Sequence, residues 1–276
     1  MSDVFPWENE LSRLDSEGDL KELGSQLGLE LEKPDELLTR EKTGSFGQSR
    51  NRLRLAQNGR NLVVLKSYKL ERDFPDPPEV RSENEIKVVS YLARAGFETL
   101  FLLASDRVAV DGTGLITTAF EYRDGLSSPS DVSKRVTGEL FGEVEPIFSF
   151  VMMDLIAQIH KRGVLHGDLR IGNVGMIQPI VNEQVENVGV CLYDWEYATM
   201  EGETGVGLGA RSDELTYLFS DIFANVGAKR GEQGIDRAIG VIGPITEQNY
   251  LGPLDDRQMD LEKIFNRSKR QAWFGI

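Results

Sequence analysis

From about Leu38 the chain shows short apolar runs of the kind that form strands. Leu37-Leu38-Thr39 leads through Arg40-Glu41-Lys42 into the glycine turn Thr43-Gly44-Ser45-Phe46-Gly47. Residues 52–56 (Arg-Leu-Arg-Leu-Ala) alternate as a half-buried strand does, and Asn58-Gly59 is a hairpin signal. The next run, Asn61 to Lys66, is apolar and ends on a single lysine. After a polar, proline-containing stretch (73–78), the spacing of Ile86, Val89 and Leu92 predicts a helix over 82–95 with Gly96 as its stop. Residues 101–103 and 115–120 read as further strands.

The second half reads differently. Ile147, Phe148, Val151, Met152, Leu155, Ile156 and Ile159 predict a mostly buried helix over 146–160, closed by Gly163. Val164-Leu165 then enters a polar loop, His166 to Asn173. From Ser212 on, the pattern is helical with glycine breaks. Strands with one helix followed by a helical half predict an α+β fold of two lobes sharing a cleft. The boundaries read as an acidic N-terminal extension over 1–37, a small β-rich lobe over 38–121 and a larger, mainly helical lobe over 122–276. Leu11, Leu14, Leu20, Leu23, Leu27, Leu29 and Leu31 punctuate the extension. Two readings stay open there: short amphipathic helices docked on the body, or an acidic arm. The stretch 177–188 reads as a hairpin extension.

The 276 residues suffice for a stable core, with 40% hydrophobic and 28% charged residues. A net charge of −14 argues against nucleic acid and anionic membrane as partners, because phosphate backbones attract excess Lys and Arg. Cys191 is the one cysteine, so a disulfide within the chain and a cysteine metal cluster are excluded, and its apolar neighbours predict a buried thiol. No basic-then-apolar leader opens the sequence and no apolar run approaches ~20 residues, so a soluble intracellular protein is expected.

Several residues have the chemistry that phosphoryl transfer needs. Such a reaction requires donors for the phosphates, oxygen ligands for magnesium and a carboxylate to orient the attacking hydroxyl. Gly44 and Gly47 would let backbone amides approach phosphate oxygens, although glycines also make ordinary hairpins. A lysine ending a buried strand is costly unless paired, and Glu85 on the predicted helix is the natural partner for Lys66; a surface lysine at a strand end is the alternative. Asp168 would orient the acceptor's proton, and Asn173 would return as a magnesium ligand. Asp194 ends the strand 188–193, where a second magnesium ligand belongs, although a strand-end Asp is also a turn former.

Together these residues resemble the protein-kinase-like superfamily over roughly 38–226. Gly44-Ser45-Phe46-Gly47 is similar to its glycine-rich loop, Lys66 and Glu85 to its lysine–glutamate pair, and His166 to Asn173 to its catalytic loop. Asp194 is similar to its metal-binding aspartate. The resemblance implies that ATP and Mg2+ are the cofactors, that Glu121 and Tyr122 form the hinge reading adenine, and that Arg170 serves near the γ-phosphate in place of a lysine. It also implies that an aspartate of Arg211-Ser212-Asp213-Glu214 supports the catalytic loop from behind. His160 reads as a packed structural histidine. Two departures are plain: Gly167 replaces an arginine, and Trp195-Glu196 replaces Phe-Gly. Asp194-Trp195-Glu196-Tyr197-Ala198 is similar to choline-kinase and aminoglycoside-phosphotransferase sequences. Three readings follow. The N-terminal half favours an atypical serine/threonine protein kinase. The run from Asp194 and the acidic surplus favour a kinase of small cationic hydroxyl compounds. A non-catalytic pseudokinase would not need all five of Lys66, Glu85, Asp168, Asn173 and Asp194.

Overall fold

The computed structural model describes residues 17–33, 52–68, 76–97, 101–110, 113–121, 126–127, 146–177, 180–181, 184–185, 189–201, 206–254 and 258–274. They fall into two compact units, Met1–Ser128 and Pro129–Ile276. The first is rich in strands and the second mainly helical, an α+β architecture.

The first unit is built on an antiparallel sheet in the order β1-β2-β3-β5-β4. Its strands are β1 (Leu31–Glu32), β2 (Arg52–Asn58), β3 (Asn61–Ser67), β4 (Phe101–Val110) and β5 (Thr113–Glu121). Asn58 pairs with Asn61, so the hairpin loop is Gly59-Arg60, one residue later than the expected Asn58-Gly59. Gly59 takes φ +60, a conformation that costs glycine nothing.

Central strand β3 is buried from Leu62 to Ser67. Its period of two sorts the side chains onto two faces. Val63 and Leu65 pack with Ala56 and Ala119 against Leu20, Leu23 and Leu27. Those leucines form one stripe of helix α1 (Glu17–Leu27), and each contributes roughly 1.5–3 kcal/mol when fully buried. Residues 17–32 are thus an integral layer of the first unit, which settles for them the choice between docked helix and free arm. Lys66 lies on the other face, toward α2 (Pro78–Arg94), which buries Arg81, Ser82, Glu85, Val88, Val89 and Leu92. This helix starts at Pro78, one turn before the expected Ser82. A proline in the first turn forfeits an N–H that has no partner there anyway. Gly96, at φ +84, ends the helix where the sequence predicts.

In the second unit, α3 (Pro146–Lys161) packs on α4 (Leu208–Thr246), and α4 packs on α5 (Leu261–Phe274). Met152, Met153 and Ile156 of α3, Leu215, Leu218 and Ile222 of α4, and Ile264 of α5 are buried. Phe265 closes on Phe219 with ring centroids 5.1 Å apart. One break interrupts α4, at Gly231, with φ 62 and ψ −159. The stretch beyond Asn173 forms the expected hairpin: Ile180–Val181 pairs antiparallel with Gln184–Val185. Among the described residues no helix is long and apolar enough to cross a membrane.

Candidate active site

In the first unit, the Lys66 ammonium donates to Glu85 Oε2 at 2.7 Å, with both side chains buried. The buried charge therefore has its counter-charge, which meets the desolvation cost of a lysine in that position. Glu85 Oε2 also accepts a hydrogen bond from the Tyr68 hydroxyl. Glu121 is the last residue of β5, opposite Val63 of β3 and Phe101 of β4. Gly44, Ser45, Phe46, Gly47 and Tyr122 lie outside the described residues.

In the second unit, the loop from His166 to Asn173 and the turn from Tyr193 to Tyr197 are bonded together at several points. The Tyr193 amide donates to the Asn173 carbonyl at 3.1 Å. His166 Nε2 reaches the Tyr193 carbonyl at 3.0 Å, and His166 Nδ1 faces the Asp168 amide at 3.3 Å. A carbonyl only accepts and an amide only donates, so the ring is the Nε2–H tautomer. The His166 ring also lies 4.4 Å from that of buried Trp195. Trp195 fixes itself by donating Nε1–H to the Leu192 carbonyl at 2.9 Å. The strands on either side continue the pairing, with Leu192 opposite Val174 and Leu165 opposite Thr199. Asp168 and Asp194 are therefore carried on two directly bonded turns.

Gly167 shows why no arginine stands there. Its φ is +79, and an added Cβ would meet the Tyr197 carbonyl oxygen at 2.1 Å. The close approach of the two turns admits only glycine. Asp194 itself is left-handed, at φ 70 and ψ 55, the one non-glycine residue with positive φ among those described. Such a backbone persists where surrounding structure imposes it, and aspartate tolerates it better than most residues.

Donors surround Asp168. Asn173 Nδ2 donates to its Oδ2 at 3.0 Å and to its backbone carbonyl at 2.8 Å. Arg170 Nε lies 3.3 Å from the same Oδ2. The amide NH2 of Asn173 is thereby committed to Asp168, which leaves its Oδ1 as the atom a hard cation would take. The Tyr217 phenol lies near enough to Asp168 to feel its carboxylate charge. Burial first, and then the negative charge of Asp168, hold that phenol above its ordinary range, with Arg170 pulling the other way.

Helix α4 supports this loop from below. Glu214 Oε1 accepts the Gly167 amide at 2.7 Å, and its Oε2 pairs with His160 Nε2 at 2.6 Å. His160 Nδ1 in turn meets the Tyr250 hydroxyl at 2.5 Å, so this histidine is a packed structural residue. Burial alone would raise the Glu214 carboxyl, but the His160 bond, the positive charge that His160 and His166 carry once protonated, and the Gly167 amide hold it below its ordinary value. Asp221 accepts the Ile171 amide at 2.9 Å. Burial is the largest influence there and keeps its carboxyl raised despite that bond and Arg170.

The supporting carboxylate is thus Glu214 and not the expected aspartate. Asp213, one residue earlier, points outward to an exposed ion pair with Arg267 at 2.5 Å. The 3.6-residue period decides this, because neighbouring positions diverge around the helix and only one can face the loop. Glu214, Tyr217 and Asp221, at i, i+3 and i+7, present one polar stripe to successive parts of the loop. That stripe, on a helix otherwise rich in buried apolar residues, was the signal in the sequence that could have found all three.

No protein-family model matches the sequence, and comparison with curated proteins finds no match. Solved structures do match. WaaP in complex with acyl carrier protein aligns with a TM-score of 0.52 over 86% of this chain and 96% of that one, at 13% identity. The Rio2 kinase from Chaetomium thermophilum, as an ADP/Mg2+-phosphoaspartate complex, aligns at 0.46 over 84% of this chain and 71% of its own, also at 13% identity. A double mutant of the Mycobacterium tuberculosis PknI kinase domain aligns at 0.43 over 82% of this chain and 93% of its own, at 17% identity. The chain has a protein-kinase-like fold, an assignment that rests on the first of these alignments.

Proposed function

We propose that the protein is an ATP-dependent phosphotransferase moving the γ-phosphoryl group of ATP to a hydroxyl acceptor, a serine or threonine of a protein in the leading reading. The observation that carries this is Asp168, held by Asn173 and Arg170 on a loop bonded to the turn that bears Asp194. Asp168 would orient the acceptor hydroxyl and receive its proton as the oxygen attacks phosphorus. Lys66, fixed by Glu85, would donate to phosphate oxygens, and Arg170 would offset developing charge beside Asp168.

The donor set fits magnesium. Asn173 offers an amide oxygen and Asp194 a carboxylate, both hard ligands. Among the described residues no group of three or more His, Cys, Asp or Glu converges, and magnesium held partly by phosphates needs none. ATP with Mg2+ supplies the transferable phosphoryl group and neutralises its charge. Glu121, at the end of β5, and Tyr122 would read adenine through backbone groups, and Gly44, Ser45, Phe46 and Gly47 would approach the phosphates.

A small cationic hydroxyl compound is the second reading for the acceptor. It is favoured by the net charge of −14 and by the short connection from Asp194 to the start of α4 at Leu208. Incubation with radiolabelled ATP, Mg2+ and generic protein substrates, beside a panel of amino alcohols and aminoglycosides, separates the two. Label on protein supports the first, and ADP release only with small acceptors supports the second. Asp168→Asn should lower either activity by about 10²–10⁴-fold. Equal rates for wild type and Asp168→Asn would reject the phosphotransferase reading and favour a non-catalytic role.

A further inference from the structure

The Lys66–Glu85 pair is part of a larger buried cluster. Lys66 and Tyr68 are two residues apart on one extended stretch, so their side chains leave the same face of the sheet. The Tyr68 amide bonds to the Ile116 carbonyl at 3.0 Å, which extends the β3–β5 ladder and fixes the position of the ring. Tyr68 is 0% exposed. Its hydroxyl donates to Glu85 Oε2, the oxygen that also takes the Lys66 ammonium. Thr118, opposite Lys66 on β5, donates its hydroxyl to the Tyr68 oxygen at 3.2 Å. The Lys66 ammonium lies 5.1 Å from the Tyr68 ring centroid, within cation–π range.

We propose that Tyr68 is a positioning residue that holds Glu85 on Lys66, so that the pair is built into the fold before any nucleotide arrives. The chemistry of the cluster supports this. A glutamate on a helix and a lysine on a strand can separate when the helix shifts, because a single ion pair joins them. Here a second donor, rooted in the same strand as Lys66, grips the same carboxylate oxygen. Moving Glu85 away would break two charge-assisted hydrogen bonds at once in a dry environment, where an unpaired carboxylate is costly. The phenol is held well above its ordinary range, by burial first and then by the charge of Glu85, so it remains the donor this role requires. The Thr118 bond orients its lone pairs and leaves its proton for Glu85.

This inference rests on the phosphate-binding role proposed for Lys66, and the test is arranged to fail separately from that role. Nucleotide affinity (fluorescent ADP analogue with Mg2+) and ATP-dependent phosphate transfer are measured for wild type, Tyr68→Phe, Glu85→Gln and the double variant, each with its thermal unfolding. Tyr68→Phe keeps the ring and removes only the hydroxyl. It should weaken nucleotide binding about tenfold, the worth of one charge-assisted hydrogen bond, with the loss in KM for ATP exceeding that in kcat. The double variant should bind no more weakly than Glu85→Gln alone, because the hydroxyl acts only through that carboxylate. Tyr68→Phe binding like wild type, or its loss adding fully to that of Glu85→Gln, overturns the inference. A hydroxyl that only stabilises the fold would lower the melting temperature without this coupling, which also overturns the inference. A wild type that binds no nucleotide would instead overturn the role of Lys66. Should Tyr68→Phe fail to fold, Thr118→Val tests the same chain of bonds from its far end and should weaken binding by a smaller factor.

Discussion

Each unit buries a glutamate against a basic side chain with a tyrosine in the cluster, yet the two clusters do different work. In the first, Glu85 brings Lys66 and Tyr68 to one oxygen. In the second, Glu214 divides its oxygens, one for His160 and the other for the backbone amide of Gly167. The first arrangement restrains a side-chain cation. The second joins a helix to the backbone of a loop, with Tyr250 holding the histidine from behind. A carboxylate with both donors on one oxygen is a clamp on charge; one that divides its oxygens is a bridge between elements. Removing the bridge should therefore cost stability first, and weakening the clamp should cost function first.

The largest effect expected from this contrast is at Glu214. Glu214→Ala leaves His160 and the Gly167 amide without their acceptor inside the second unit, and should lower unfolding free energy by about 3–5 kcal/mol in urea titrations. A loss below about 1 kcal/mol would mean that the bridge holds nothing. Gly167→Ala attacks the same bridge from its other end. With φ at +79 and the Tyr197 carbonyl at 2.1 Å from the new Cβ, it should cost on the order of 3 kcal/mol by the same assay and disturb the Asp168 loop.

Glu85→Gln keeps the shape and an acceptor oxygen but removes the charge. It should reduce phosphate transfer about tenfold or more while costing only about 1–2 kcal/mol of stability. The reverse pattern, stability lost with activity retained, would erase the distinction between clamp and bridge.

The smallest effect is in pH dependence, where two carboxylates of one helix should act oppositely. Glu214 has a depressed folded value, so its stabilisation is present above the ordinary glutamate value of 4.5 and is lost as pH falls through the lower folded value. Glu214→Gln should flatten that acid limb. Asp221 is raised above 3.8, so its contribution is greatest below that value and is lost as pH rises through the higher folded value. Asp221→Asn, which keeps an acceptor for Ile171, should therefore leave stability at pH 7 unchanged or raise it by up to about 1 kcal/mol. A fall at pH 7 with an unchanged acid limb would reverse the assignment.

Much of the fold was legible because periodicity reports burial directly. Strands β2, β3 and β5, helix α2 with its stop at Gly96, and helix α3 with its stop at Gly163 all follow from apolar spacing and glycine placement. The errors were local. The hairpin loop moved by one residue because the pairing of Asn58 with Asn61 outweighed the dipeptide signal. Helix α2 gained a turn because proline is a good first-turn residue. For residues 17–27 the structure realises the docked helix, one of the two readings the sequence left open, because three leucines at helical spacing meet an open sheet face.

By itself, the sequence determined the α+β class and the candidate residues Lys66, Glu85, Asp168, Arg170, Asn173 and Asp194, because each lies in a local pattern that needs no knowledge of distant contacts. Tertiary structure decided what holds them. Tyr68 meets Glu85 across 17 residues, Glu214 meets Gly167 across 47, and Asp221 meets Ile171 across 50. Spacing along the chain carries no record of such encounters, since a hydrogen bond depends on where two backbones end up and on which side of each the atoms emerge. The same holds for Gly167. In sequence it is an arginine lost from a motif; in space it is the only residue that fits beside the Tyr197 carbonyl.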